Sequence, residues 1–268
     1  MPPRAPIITL TSDFGMADGT VGAMIGVIKS ICPVAEVVVT AADVPPHDIS
    51  RGAWALLQSA PFFPPGCIHV AVVDPGVGSG RRGLLVQTER DSFLGPDNGV
   101  LTWVLRGPTN VTYRELTNRS YRLASAGVTF DGRDLFAAAA AHLAAGADPS
   151  AFGPTIDDPV RLEWPDPVVR DERVLGIVVV SDQFGNLITN VPFEQVAGLF
   201  GDAELVVSVG TITAIPIVPS YSHIREEYGA VVNGTGLLEI AAHRGSAAAR
   251  TGLQRGAAVI IAPREAVP

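Results

Sequence analysis

The stretch that decides the fold is Cys67-Ile-His-Val-Ala-Val-Val-Asp74-Pro-Gly-Val-Gly-Ser-Gly-Arg81-Arg82, an apolar run that stops at an aspartate, a glycine-dense turn and two arginines. Ile68 to Val73 read as a buried strand, so Asp74 falls at a carboxyl end, where open α/β sheets place ligands. The Gly-x-Gly-x-Gly spacing of the turn imitates a phosphate loop. Such a loop needs a helix to open directly after the glycines, so that its amino terminus faces the phosphates. Gly83-Leu-Leu-Val-Gln-Thr88 follows instead and reads as another strand, which removes the dinucleotide reading. A tight turn with a solvated arginine pair is the plain alternative.

Working outward, the 268 residues are 47% hydrophobic and 17% charged, a composition that supports a substantial core in one large domain or two smaller ones. Of 19 basic side chains only Lys29 is a lysine, and the formal charge is −8. No basic stripe for nucleic acid is expected. Cys32 and Cys67 read as buried free thiols, and no zinc spacing exists, so no metal is expected. The amino terminus lacks the apolar stretch of a signal peptide and no run reaches membrane-spanning length, so the expectation is a cytoplasmic protein without membrane contact.

Four acidic loops follow strand or helix ends. Ile7 to Leu10 is a strand ending in Thr-Ser-Asp13-Phe14-Gly15, with Asp18 before a helix over Val21 to Ile31. The Asp-Phe-Gly triplet is no kinase signature here, because no glycine loop or catalytic lysine precedes it. Glu36 to Thr40 is the second strand; Asp43-Val-Pro-Pro-His47-Asp48 leads to a helix through Trp54 that Asp48 or Ser50 could cap. Asp97-Asn98-Gly99 forms a turn before a short helix over Val100 to Leu105. Phe130-Asp131-Gly-Arg-Asp134 precedes an alanine-rich helix from Leu135 to Ala145. Repetition at one kind of position suggests a shared polar cleft. Pro154 to Arg173 reads as a linker, and six short strands beyond it as a small β domain. In that domain Asp182-Gln-Phe184-Gly-Asn186 offers a stacking face and an amide suited to a purine, and Asn233-Gly234-Thr235-Gly236 is an exposed turn where ligand can approach backbone.

Taken in order, Ser12-Asp13-Phe14-Gly15, Val-Pro-Pro-x-Asp48, Asp74-Pro-Gly-Val-Gly, Pro96-Asp97-Asn98-Gly99, Thr129-Phe130-x-Gly132-Arg133-Asp134, Asp182-x-Phe184-Gly185-Asn186 and Asn233-Gly-x-Gly236 resemble the S-adenosyl-L-methionine hydroxide adenosyltransferases, relatives of fluorinase and chlorinase. The resemblance implies an amino-terminal Rossmann-like α/β domain (1–158), a linker (159–173) and a smaller carboxyl-terminal all-β, barrel- or sandwich-like domain (174–268). It also implies a homotrimer with sites at subunit interfaces, and a reaction in which water attacks ribose C5′ of S-adenosyl-L-methionine, releasing adenosine and methionine. The sulfonium sulfur leaves with methionine as a neutral thioether, so the chemistry asks for position and an activated water rather than a cofactor. By resemblance Asp13 accepts the ribose hydroxyls, Asp18 and Asp182 hold the methionine portion, Phe184 stacks on adenine with Asn186 bonding it, and Phe130 and the turn Asn233, Gly234 and Thr235 complete the binding set. Asp74 and an arginine, Arg81 or Arg82, polarise the water.

The chain departs from the family pattern at several positions. Hydrolases of the family usually carry histidine where Asp131 stands, and a second carboxylate beside Asp74 would repel it. His47 replaces a pocket aromatic, which suggests that His47 and Asp131 have changed roles together within the catalytic set, with His47 supplying the imidazole near the water. Halogenases have tyrosine at Asp74; a fixed carboxylate there opposes an incoming halide. Gly234 and Thr235 stand where halogenases grip the carboxylate with Ser and Arg. A nucleoside-binding protein with little chemistry is the second reading.

Overall fold

The computed structural model describes residues 5–124 and 127–266, which divide into two compact units, residues up to Leu162 and residues from Glu163 onward. The first unit runs β1 (Ile7–Ser12), α1 (Thr20–Ile31), β2 (Glu36–Ala41), α2 (Ile49–Ser59), β3 (Ile68–Val72), β4 (Gly83–Gln87), β5 (Ser92–Pro96), β6 (Thr112–Glu115), α3 (Ala138–Ala144) and β7 (Thr155–Ile156). Among the described residues these strands form one sheet in the order β2-β1-β3-β5-β4-β6-β7. The first four are mutually parallel, and β4, β6 and β7 add antiparallel partners.

The period of two in these strands builds a layer on each face of the sheet. Ile68, Val70, Val72, Leu85 and Leu94 pack against Val21, Met24 and Ile28 of α1 and the alanines of α3. Ala71, Leu84, Val86 and Phe93 point the other way, toward Leu56 of α2 and the segment Val100, Leu101 and Leu105. The segment from Val100 to Leu105, expected as a helix, is a series of turns, with Thr102 N bonding Gly99 O and Leu105 N bonding Thr102 O. Glycines at 99 and 107 leave too few residues between them for a stable helix nucleus. The alanine-rich helix begins earlier than expected, as one six-residue π-helical segment over Gly132–Ala137 that passes directly into α3.

The second unit contains β8 (Val168–Arg170), β9 (Arg173–Ser181), β10 (Leu187–Pro192), α4 (Phe193–Phe200), β11 (Leu205–Val209), β12 (Ile212–Pro216), β13 (Tyr228–Val232), β14 (Leu237–Ala242), α5 (Ala247–Thr251) and β15 (Ala258–Pro263). Its antiparallel sheet runs β12-β11-β15-β9-β10-β14-β13, and a bridge between Ile217 and Ala230 nearly closes it. Within the stretch read as a linker, Val168–Arg170 pairs with the start of β9. Asp171 and Glu172 join the two strands with φ of 48° and 56°, the left-handed pair of a two-residue hairpin turn. Two short helices, α4 and α5, interrupt the strands.

Candidate active site

Because β2, β1, β3 and β5 are parallel, the acids that follow them emerge along one edge: Asp43, Asp13, Asp74 and Asp97. Asp74 follows β3 by two residues, and Asn98 Nδ2 donates to Val73 O at 2.8 Å, which fixes the strand end just before it. The turn after Asp74 closes on itself. Val77 N reaches Asp74 O at 3.2 Å, Ser79 Oγ donates to Gly76 O at 2.6 Å, and Arg81 N donates to Ser79 Oγ at 3.2 Å.

This turn returns Arg81 to Asp74. Arg81 Nε donates to Asp74 Oδ1 and Oδ2 at 3.0 and 2.9 Å, and its Nη2 donates to Asp74 Oδ2 as well. The same Nη2 donates to Asp131 Oδ2 at 2.6 Å, and Arg122 Nη2 donates to Asp131 Oδ1 at 2.6 Å. A chain of alternating charge results, Asp74–Arg81–Asp131–Arg122, with the Asp131 residue 6% exposed. The repulsion expected between the two carboxylates is offset by a guanidinium held by both. Burial works to lower the pKa of Arg81, but its bonds to Asp74 and Asp131 prevail and raise it, so it remains a cation. An open groove of about 640 Å3 runs beside this chain, lined by Arg81, Arg119, Arg122 and Asp131 among others.

Arg82 goes elsewhere. Successive side chains of an extended backbone point in opposite directions. Arg82 Nε accordingly donates to Asp97 Oδ2 and its Nη1 to Asp158 Oδ1, both at 2.7 Å. Of the two arginines left open by the sequence, Arg81 is the one at Asp74.

Asp13 Oδ2 accepts from His47 N at 2.9 Å, and His47 achieves this with φ of 68°, a left-handed conformation uncommon for a side-chain-bearing residue. His47 is exposed, and its imidazole makes no hydrogen bond among the described residues. Asp48, not Ser50, caps α2 by accepting from Arg51 N. Asp18 is exposed in the turn before α1. Phe130 meets Phe14 edge-to-face at 5.8 Å, and the Arg133 guanidinium covers its ring at 4.8 Å. Gly132 is where a Cβ would lie 2.7 Å from the Phe14 ring, so glycine lets the ring beside Asp13 seat.

In the second unit, Asp182 organises the β9–β10 hairpin. Its Oδ1 accepts from Phe184 N and Asn186 N, and its Oδ2 from Asn186 Nδ2, all at 2.9 Å. Asn186 is buried, whereas Phe184 projects with 69% of its surface exposed. Asn233 Oδ1 gathers Thr235 N, Thr235 Oγ1 and Leu237 N, and Gly234 and Thr235 are exposed. Three further polar residues were missed by sequence reasoning: Arg122, Tyr221 and Glu239, the last of these a 2% exposed carboxylate that accepts from Tyr221 Oη. A glutamate inside the apolar run Leu237-Leu-Glu-Ile-Ala was a signal available for Glu239; Arg122 carried none.

Residues 8–153 match the SAM hydroxide adenosyltransferase N-terminal domain, and residues 176–260 match the C-terminal domain of the same enzymes. The chain belongs to the SAM hydroxide adenosyltransferase family. Within that family it is similar to a protein of Thermus thermophilus named (R)-S-adenosyl-L-methionine hydrolase, with 37% identity over 91% of this chain and 95% of that one. A fluorinase of an Actinoplanes species is 26% identical over 96% of this chain and 97% of its own. A solved structure of a conserved Thermotoga maritima protein superimposes with a TM-score of 0.85 and 32% identity, covering 96% of this chain and 99% of that one. The SAM hydroxide adenosyltransferase match thus spans both units, including the Asp74–Arg81 turn in the first and the Asp182 and Asn233 turns in the second.

Proposed function

We propose that this enzyme hydrolyses S-adenosyl-L-methionine to adenosine and L-methionine. The observation that carries the reading is the fixed Asp74–Arg81 pair at the end of β3. Arg81 donates hydrogen bonds to both Asp74 oxygens yet leaves an acceptor position for a water, since an ionised carboxylate offers about four. In the proposed step that water's oxygen bonds to C5′ as the C5′–S bond breaks in line. The sulfur keeps the bonding pair and departs as the neutral thioether of methionine. The water's proton passes to the Asp74 carboxylate and on to solvent. A sulfonium leaving group needs no acid or metal, and orientation supplies most of the acceleration. Asp131, tied to two arginines, is assigned the role of holding Arg81 in place rather than that of a base. His47 stays in the site as the donor of its backbone amide to Asp13, which is assigned to the ribose hydroxyls; Asp18 is assigned to the methionine portion and Phe130 to the substrate pocket.

Phe184 is assigned to stacking on adenine, consistent with its exposure, and Asn186, Asp182, Asn233, Gly234 and Thr235 to the remaining substrate contacts. The second reading is an adenosylmethionine- or nucleoside-binding protein with little chemistry; halide transfer ranks below it, because the negative charge of Asp74 opposes an incoming halide. No helix among the described residues is long and apolar enough to cross a membrane. We carry forward a cytoplasmic homotrimer with sites at subunit interfaces, which light scattering would test against the mass of one chain.

The deciding experiment is incubation with S-adenosyl-L-methionine in 18O-labelled water, with and without chloride, followed by chromatography and mass spectrometry. Equal adenosine and methionine, with the label on the adenosine 5′ oxygen, supports hydrolysis at C5′. 5′-Chloroadenosine would favour halogenation, and tight binding without product would favour a binding protein.

A further inference from the structure

In the second unit, β10 and β13 flank β14 so that Glu239 lies opposite Ile188 on one side and Val231 on the other. The Asp182–Asn186 hairpin turn immediately precedes β10, and the Asn233 turn immediately follows β13. Glu239 therefore sits between the two turns assigned to the substrate, its partners Ile188 and Val231 each two residues from the turn residues Asn186 and Asn233. It is buried, and its Oε1 accepts the Tyr221 hydroxyl proton. Tyr221 is itself 54% exposed, so the pair links a sealed carboxylate to the surface.

The charge around Glu239 is unbalanced. Neither Glu239 nor Asp182 takes part in an ion pair among the described residues. Burial foremost, and the nearby Asp182 charge, push the Glu239 carboxyl's pKa up, while Tyr221 and the Asn233 amide act against that rise. Asn233 Nδ2 is sealed from solvent and has no hydrogen-bond partner among the described residues, yet it favours the charged form of Glu239. A buried carboxylate with no cation of its own protein is unfavourable unless something brings the opposite charge. Asp182 is a poor candidate to meet that cation alone, because three donors of its own turn leave it about one free acceptor position.

We infer that Glu239, acting through the Tyr221 hydroxyl, is the positioning residue that selects substrates carrying a primary ammonium group. The phenol O–H donates a hydrogen bond to Glu239, which leaves the phenol oxygen as a polarised acceptor for an ammonium N–H, while the two carboxylates supply the field. This inference rests on the proposed function, since the ammonium in question is the α-ammonium of the methionine moiety.

The test compares S-adenosyl-L-methionine with the analogue that has hydrogen in place of the α-ammonium, on the full chain, measuring kcat, KM and calorimetric Kd. Glu239→Gln keeps the shape and the Tyr221 contact and removes the charge. Its KM and Kd for S-adenosyl-L-methionine should rise about tenfold or more, with kcat within roughly threefold and the analogue's Kd unchanged. Tyr221→Phe should do the same, and the double variant should be no worse than the poorer single one, because the two act as a unit. A parallel loss for both ligands, or an unchanged Kd with only a lower unfolding midpoint, would overturn the inference. So would a wild-type enzyme that binds both ligands equally. If Glu239→Gln does not fold, Tyr221→Phe decides alone by the same criterion. If S-adenosyl-L-methionine binds with that ammonium preference but is not turned over, the hydrolase reading fails and the Glu239 assignment stands.

Discussion

Replacing Arg81 with Met isolates what the shared guanidinium does. Asp74 and Asp131 both accept from Arg81 Nη2, so two hydrogen bonds of ordinary length bring their oxygens within about 5 to 6 Å of one another. With the cation gone, two unit charges at about 5 Å and an effective dielectric near 20 repel by roughly 3 kcal/mol. Arg122 stays on Asp131 and relieves part of this, so the figure is an upper bound. At about 1.4 kcal/mol per factor of ten, the enzyme should lose up to about a hundredfold in kcat/KM, mostly in kcat, because the carboxylate that orients the water is no longer held. Arg81→Lys should recover part of the rate, since a point charge replaces a fork that grips both Asp74 oxygens. Arg82→Met is the control. It removes a partner of the buried Asp97 and should lower the unfolding midpoint, yet kcat/KM per folded molecule should stay within roughly threefold. The assay is adenosine release under initial-rate conditions, corrected for the folded fraction by circular dichroism. Equal losses in the two Met variants, or a near-normal Arg81→Met enzyme, would refute the assignment of the charge chain to catalysis.

Other perturbations read other parts of the molecule. His69 is buried on β3 with Nδ1 2.8 Å from Thr9 Oγ1, and burial foremost, with Arg90 adding to it and Asp91 opposing, lowers its pKa to about 4. A lowered histidine pKa means the unfolded chain takes up the proton first, so stability should fall as pH drops from about 6.5 to about 4 and level off below; relative to His69→Leu the difference between pH 7 and pH 4.5 in urea unfolding should be roughly 2 kcal/mol. A pH-independent difference between the two proteins would contradict this. Gly132→Ala drives a methyl group into the Phe14 ring and should lower stability by about 1–3 kcal/mol while raising KM, because the displaced ring adjoins Asp13. Unchanged KM would detach Phe14 from the site. Phe184→Ala should leave the unfolding midpoint unaltered, given its exposure, and raise KM about tenfold, the scale of one base–aromatic stack; a normal KM would remove Phe184 from adenine binding.

The sequence made the strand ends legible because parallel strands buried on both faces read as unbroken apolar runs, and each stops at an acid. The structure matches in detail at β3 and β4, where the missing helix after the glycines had already ruled out a phosphate loop. β10 was passed over because its Thr-Asn-Val-Pro end is poor strand sequence, and cross-strand pairing with β9 and β14 overrides that. The choice between Arg81 and Arg82 could not be made from spacing alone, since both lie within reach of Asp74; the direction in which an extended backbone throws alternate side chains settles it. The offset between Asp74 and Asp131 was hidden for a similar reason. Arg122 reaches Asp131 from a segment with no periodicity, so only the folded chain reveals a second cation where carboxylate repulsion was expected.

The alternation that sends Arg81 and Arg82 to different acids makes the join between the glycine turn and β4 a form of punctuation. Surface loops ordinarily accept insertions and deletions, because closing a slightly longer loop changes the entropy little. Between Arg82 and β4, whose register is held by β5 and β6, a single residue gained or lost would reverse which guanidinium faces the charge chain and which faces Asp97 and Asp158, much as a strand slipped by one exchanges its faces. Upstream of the arginines the turn is free to drift toward any residues that can make the bend, while the arginines' distance from β4 is bound to parity.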